Sequence, residues 1–371
     1  MGPLPFADMP PQHTDRTLSP TLCRPLPLAA ALHDNAPGKA IINAVCAKAQ
    51  DAGGSIVRPS FVHACHRNTV AIENGSYLRI SAAFTTIERG SMYKILEKTQ
   101  FSEKVFKFRV KAPAMAKHAH AGQFLMVRAN ECGERVPFTL AGWNADEGWV
   151  EFIFMVIGKT TEMLSAYEAG DALRDVTGPL GVPTEMPDGP CAVIGGGVGL
   201  AIAFPVAKHL IETGHEVHAI MGARTKDLLL LEDQFRELLD DEHIHITTDD
   251  GSYGEQGVVT APLERLLESK AVTQVFCVGP VPMMKFSALT AEKYGTPITA
   301  SLNPIMVDGT GMCGCCRVEV DGKTKFACVD GPDFDATKVD WDDLRARQAA
   351  YRTEEGQSLK AYEEGSCACH K

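Results

Sequence analysis

The chain has no run of about 20 apolar residues, its longest apolar stretches being broken by charge, Gly or Pro, so no helix is expected to cross a bilayer and no membrane insertion follows. Positive charge is in deficit: 36 Lys and Arg stand against 47 Asp and Glu, a net −11 that repels phosphate backbones and anionic lipid surfaces. Nucleic acid is therefore excluded as an expected partner. The first residues lack a basic start followed by a compact apolar stretch and a small-residue cleavage site, so no secretory signal is read and a cytoplasmic location is expected. No internal repeat is visible, and no His with Asn or Asp supports Cys277 as a nucleophile, so no catalytic side chain is assigned. What remains is an ordinary globular balance, 45% apolar and 22% charged over 371 residues, enough for about two or three domains with real cores.

Residues 1–91 differ from the rest. They are Pro-rich at Pro3, Pro5, Pro10, Pro11, Pro20, Pro25 and Pro27 and show no sustained helical or strand period. Two readings stand: a low-order leader, or an upstream extension of a chain that naturally starts at Met92. From MYKILEKTQ onward the sequence reads as continuous domain. Short strands are expected over 105–110, 124–129, 137–140, 149–156 and 172–177, with one helix over 161–167, which predicts a small antiparallel barrel across 92–187. The period then changes. Strands over 192–194, 216–221, 244–247 and 274–278 alternate with helices over 201–212 and 233–239, the pattern of a doubly wound parallel sheet across 188–300. A Gly- and Cys-rich segment over 301–340 is too short for a large core and is expected to need a metal to fold. A charged, helix-prone tail, 341–371, ends in Cys367, Cys369 and His370, read as frayed.

The chain has 12 Cys, but a chain of this size has little need of disulfide staples, and three of them fall together at Cys313, Cys315 and Cys316, so a thiolate-held metal is the better reading. Asp308, Cys313, Cys316 and Cys328 form D-x4-C-x2-C-x11-C, the compact spacing of a 2Fe-2S ligand set; the same donors suit structural zinc. Cys315 points elsewhere on a tight loop and is read as a spare thiol. Gly309, Gly311 and Gly314 let the loop turn and bring backbone N–H groups toward sulfur.

A second motif is Gly195-Gly196-Gly197-Val198-Gly199, between an apolar strand and a helix, where backbone amides and a helix N-terminus can face a diphosphate. It departs from G-x-G-x-x-G at Leu200, and Arg224 stands where an acidic ribose partner would close the next strand, so NADH and NADPH are not separated. A third is Arg135-Val136-Pro137-Phe138-Thr139-Leu140 with Gly158-Lys159-Thr160-Thr161 ahead of a helix: Arg for a phosphate, an aromatic and a hydroxyl for a flavin ring, a loop for the pyrophosphate. His209, His215, His218, His243 and His245 show no metal-ligand spacing and are read as surface or strand-end residues.

In this order the motifs resemble the ferredoxin-NADP reductase superfamily from Met92 to about Val339. The likeness is nearest to the small (alpha) subunits of NADH-dependent reduced ferredoxin:NADP oxidoreductase, also known as sulfide dehydrogenase subunits. Residues 301–332, SLNPIMVDGTGMCGCCRVEVDGKTKFACVDGP, carry most of it. The electron-transfer subunit of dihydroorotate dehydrogenase shares the layout but has Cys where Asp308 stands. The resemblance implies an FAD barrel, an NAD(P)-binding domain and a C-terminal 2Fe-2S domain. It implies FAD held by Arg135, Pro137, Phe138 and Thr139 with the loop Gly158 to Thr161, and NAD(P)H held by the glycine turn and by Cys277, Gly279 and Pro280. It also implies a larger flavoprotein partner like the small subunit of glutamate synthase, and ferredoxin. Electron delivery to dihydroorotate or sulfide chemistry, and a zinc-stabilised module that only binds a partner, are the competing readings.

Overall fold

The computed structural model describes residues 93–131 and 133–366, together with two short strands, Thr69–Ile72 and Ser76–Arg79. Met92, most of the expected leader, and Cys367, Cys369 and His370 lie outside the described residues. The two short strands pair antiparallel within a unit of their own, Met1–Ile87; everything below concerns Glu88–Lys371.

Seven antiparallel strands make the first sheet, in the order Ala172–Leu173, Tyr93–Ser102, Val105–Lys111, Trp149–Met155, Arg135–Asn144, Phe124–Arg128 and Asp175–Leu180. The two edge strands are separated in sequence by Arg174 alone, so the sheet curls until its edges are consecutive pieces of chain. That is why the single strand expected over 172–177 is two: the chain changes edges at Arg174. The period-2 alternation in Val105–Lys111 turns Phe106, Phe108 and Val110 inward, where Phe108 meets the rings of Phe152 and Phe154 at 5.8 and 5.1 Å between centroids. Lys107 and Arg109 face outward and pair with Glu97 and Glu151. The expected helix appears as Lys159–Ser165, two residues early, because the Thr161 hydroxyl accepts from the amides of Ile157 and Gly158 and so fixes the start at Gly158.

The second sheet runs Glu255–Gln256, Ile244–Thr248, Val217–Ala223, Cys191–Gly196, Gln274–Val278, Ile298–Ser301 and Asp333–Asp335, all parallel except the last. The chain begins at the central strand Cys191–Gly196, winds to one side, then returns to build the other. The order therefore reverses between Cys191–Gly196 and Gln274–Val278, a switch point whose crevice opens at the strands' C-terminal ends. Helices Leu200–Glu212 and Glu232–Leu238 match expectation; Thr260–Glu268 and Val281–Lys293 were not read from the sequence.

The Cys-rich segment does not stand apart. Its hairpin, Arg317–Val320 with Lys323–Phe326, contributes Val318 and Val320 to the same core as Ile194, Val275 and Ala300, and Asp333–Asp335 extends the parallel sheet. The expected tail is likewise built in: Trp341 and Leu344 of helix Trp341–Gln348 join that core, and Tyr362 of helix Arg352–Glu363 packs on the barrel core.

Candidate cofactor sites

The glycine turn sits at the switch point, and three of its glycines, Gly195, Gly196 and Gly199, leave no room for a side chain, while Gly197 takes a left-handed φ of 56° that favours glycine. A Cβ on Gly199 would lie 2.4 Å from the Val278 carbonyl oxygen and 3.0 Å from Gly279 Cα. One on Gly196 would lie 2.4 Å from Met283 Sδ and 3.1 Å from Pro280. The turn and the stretch Cys277-Val278-Gly279-Pro280, some 80 residues apart in sequence, thus meet backbone to backbone, leaving amides and the start of Leu200–Glu212 to face a diphosphate. Met283 was not singled out from the sequence; a Met at a helix start carries no signal for it. Arg224 is exposed just past Val217–Ala223, whose Gly222 lies opposite Gly196. Cys277 is fully buried, and burial, with Asp333 second, pushes its thiol up, which disfavours the thiolate a nucleophile needs.

The strand Arg135–Asn144 divides the expected flavin residues between two faces. Val136 and Phe138 pair across with Val127 and Leu125 and turn into the barrel, where the Phe138 ring stacks on Phe152 at 5.0 Å and 7°. Pro137 and Thr139 pair with Met126 and Phe124, which belong to the core shared with the parallel sheet and the Cys-rich segment. The aromatic and the hydroxyl therefore do not share a surface, as strand alternation requires of neighbouring residues. Arg135 is exposed and bonds Asp175 at 2.6 Å. Glu134, which no sequence signal marked, ties Arg135's end of the strand to the predicted loop: its carboxylate accepts from Lys159 Nζ at 2.7 Å and Thr160 Oγ1 at 3.2 Å. The Thr161 hydroxyl and the Gly158 amide are engaged with each other, so what the loop offers an anion is the first-turn amides of Lys159–Ser165.

The Cys loop brings its thiols together. Cys316 and Cys328 are buried, with Sγ atoms 3.2 Å apart, and Cys313 lies at the exposed rim, its Sγ accepting from the Cys315 amide at 3.5 Å. Burial, reinforced by Cys316, pushes the Cys328 thiol up to about 12. Such a thiol gives up its proton to a bound cation, which is the donor chemistry a thiolate-held metal requires. Cys315 is fixed by its backbone, its carbonyl accepting from Arg347 at 3.2 Å. Asp308 is on the same loop, but its carboxylate accepts from the Thr310 amide at 3.0 Å and from the Thr310 hydroxyl, not from a thiol. The Thr310 hydroxyl, and less strongly Arg135, hold it below the usual carboxylate range. Gly309 sits against the barrel: a Cβ there would be 2.7 Å from Met126 Cγ and 3.0 Å from Leu180 Cδ1. The Cys loop therefore packs on the barrel face that carries Pro137 and Thr139, beside Arg135.

Two family models match the chain: the iron-sulfur cluster binding domain of dihydroorotate dehydrogenase B over residues 303–340, and the oxidoreductase NAD-binding domain over residues 193–288. A Thermotoga maritima protein described as a dihydroorotate dehydrogenase B (NAD(+)) electron transfer subunit homolog is 46% identical over 273 residues, 73% of this chain and 96% of that one. The dihydroorotate dehydrogenase B (NAD(+)) electron transfer subunit of Desulforamulus reducens is 30% identical over 258 residues, 67% of this chain and 97% of its own length. Among solved structures, one of NADH-dependent reduced ferredoxin-NADP oxidoreductase, reported for flavin-based electron bifurcation, is 45% identical with a TM-score of 0.68, covering 74% of this chain and 98% of the other.

Proposed function

Since the chain belongs to the family of dihydroorotate dehydrogenase B electron-transfer subunits and their homologues, NAD-binding iron-sulfur flavoproteins that carry electrons, we propose that it moves electrons between NAD(P)H and a 2Fe-2S cluster through FAD. One observation carries this reading: the glycine turn and the stretch 277–280 close one crevice, while the Cys loop packs through Gly309 on the barrel face of Pro137 and Thr139. Nicotinamide gives two electrons together, a 2Fe-2S cluster takes one, and a flavin does either.

The chain's residues supply placement. Gly195, Gly196, Gly197 and Gly199, with Gly279 and Pro280, would hold NAD(P)H at the switch point, with exposed Arg224 available to its charged groups. Arg135, Pro137 and Thr139 with the amides after Gly158 hold FAD; Phe138 supports that strand from inside the barrel. Cys313, Cys316 and Cys328 would hold the cluster, with Asp308 as the fourth donor. Cys277 packs beside the nicotinamide site as a neutral thiol.

Exposed Val307, Met312 and Val329 ring the Cys loop, an apolar rim suited to a partner that takes or returns electrons there. By the family likeness that partner is a larger flavoprotein like the small subunit of glutamate synthase, with ferredoxin as a further electron carrier, and the carboxylate at Asp308 favours this over delivery to dihydroorotate. Among the described residues no helix is long and apolar enough to cross a membrane. Reduced thiols of this kind belong in a reducing compartment, and we place the protein in the cytoplasm. Anaerobic purification followed by flavin and metal analysis tests the reading. About one FAD and about two irons per chain are expected; a colourless protein holding only zinc would overturn it.

A further inference from the structure

The parallel sheet has a second end, away from the glycine turn, and the fold gathers there side chains that electron transfer does not use. Glu216 precedes the strand Val217–Ala223 and His218 is its second residue; His243 ends the turn Asp241–His243 that leads into Ile244–Thr248, whose second residue is His245. Because these two strands are parallel neighbours, residues some 25 positions apart arrive at one edge. Glu216 Oε1 lies 3.8 Å from His218 Nε2 and 3.6 Å from His243 Nε2, and one donor atom from each residue falls within 4.8 Å of the other two. Three donors about 2.0–2.2 Å from one ion stand roughly 3.3–3.5 Å apart, so both carboxylate–imidazole distances are within a few tenths of an ångström of closing on an ion.

The second nitrogens also face side chains. His218 Nδ1 faces His245 Nε2 at 3.4 Å, and His243 Nδ1 faces Glu242 Oε1 at 4.0 Å. Metal-binding imidazoles are oriented in this manner, by a partner on the nitrogen that does not bind. His218 is buried, while Glu216 is exposed and opens the cluster to solvent. The adjacent group Asp240, Glu242 and His243 also comes together, but it offers one imidazole and two exposed carboxylates.

We propose that Glu216, His218 and His243 form a binding site for a zinc-class divalent cation, with His245 as the positioning residue for His218 and solvent at the fourth position. Two imidazoles and a carboxylate select a borderline ion over calcium or magnesium. The ion ties the start of one strand to the turn before the next and leaves the cofactor crevice untouched.

Calorimetric titration of the full-length, cluster-loaded protein with Zn2+ under anaerobic conditions tests this, because the thiols of the Cys loop are then engaged. The wild type is expected to bind one equivalent more than the double variant H218Q/H243Q, in which this class of site is weakened by more than ~100-fold, and H245Q to weaken it by roughly 10-fold. Any zinc held by Cys367, Cys369 and His370 is common to both and cancels. Zinc should raise the melting midpoint of the wild type and not of the double variant, while NADH-dependent reduction stays unchanged. Equal stoichiometry and affinity in wild type and double variant would overturn the proposal. Should the double variant not fold, E216Q at the exposed side decides: unchanged zinc affinity there overturns it as well.

Discussion

The glycine turn and the Cys loop are built by opposite means. At Gly195 to Gly199 the site is made by removing side chains, so that two strand ends and a helix start approach within the width of a backbone. At Cys313 to Cys328 it is made by concentrating side chains, two of them buried sulfurs 3.2 Å apart. The first is a shape that exists before any ligand arrives; the second is a set of thiols that a cation must complete. Loss of ligand should therefore leave the parallel sheet intact, whereas loss of a thiol should empty the loop.

The largest effect expected is on the loop. Cys316→Ser removes a buried sulfur for which oxygen is a poor substitute, and iron content should fall to near zero by metal analysis while flavin is retained; a variant that keeps its iron would show that Cys316 packs and does not bind. Next is the turn. Gly199→Ala drives a methyl against the Val278 carbonyl and should cost ~2 kcal/mol of stability by denaturant midpoint. It should also lower kcat/KM for the nicotinamide by more than 10-fold, with iron content unchanged. If affinity for nicotinamide survived, the tight approach would be packing and not a cradle.

Asp333 sharpens the comparison because it lies where the two regions join, beside Cys277 and five residues after Cys328. Its carboxylate accepts from the Thr184 hydroxyl at 2.5 Å, its other oxygen is buried without a partner among the described residues, and burial raises it from 3.8 to about 6. A carboxyl raised by folding favours the fold while protonated; that contribution is complete below 3.8 and is lost as pH climbs through about 6. The difference is worth ~3 kcal/mol. The wild type should therefore lose about that much stability relative to Asp333→Asn between roughly pH 4 and pH 8 in urea melts. A pH-independent gap between the two would place the carboxyl in solvent. Smallest is Asp308→Cys, which should keep the iron and shift only the midpoint potential; an unchanged potential in redox titration would remove Asp308 from the ligand set.

Both cofactor motifs of the C-terminal half were legible for the same reason: Gly and Cys are the residue types whose chemistry shows in the letter itself. The barrel was legible as alternating strands, but the division of Phe138 from Thr139 depends on the register with Leu125 and Phe124, which no local pattern states. Glu134 and Asp333 act through partners 25 and 149 residues away, Lys159 and Thr184, and a single carboxylate in sequence says nothing of either. The Cys-rich segment was expected to depend on its metal for a core. Val318, Val320 and Val339 instead share the core of the parallel sheet, a long-range packing that composition over 301–340 does not display. Of the histidines read as scattered, His218, His243 and His245 cluster only because parallel pairing sets their strands side by side.

If the chain works as proposed, electrons pass between nicotinamide and its own iron. Anaerobic addition of NADH or NADPH to the flavin- and iron-loaded protein, followed by low-temperature paramagnetic resonance, measures it directly. The account predicts bleaching of the flavin band together with a reduced 2Fe-2S signal that Cys316→Ser lacks. A flavin that bleaches while the iron stays silent, even after dithionite, would contradict it.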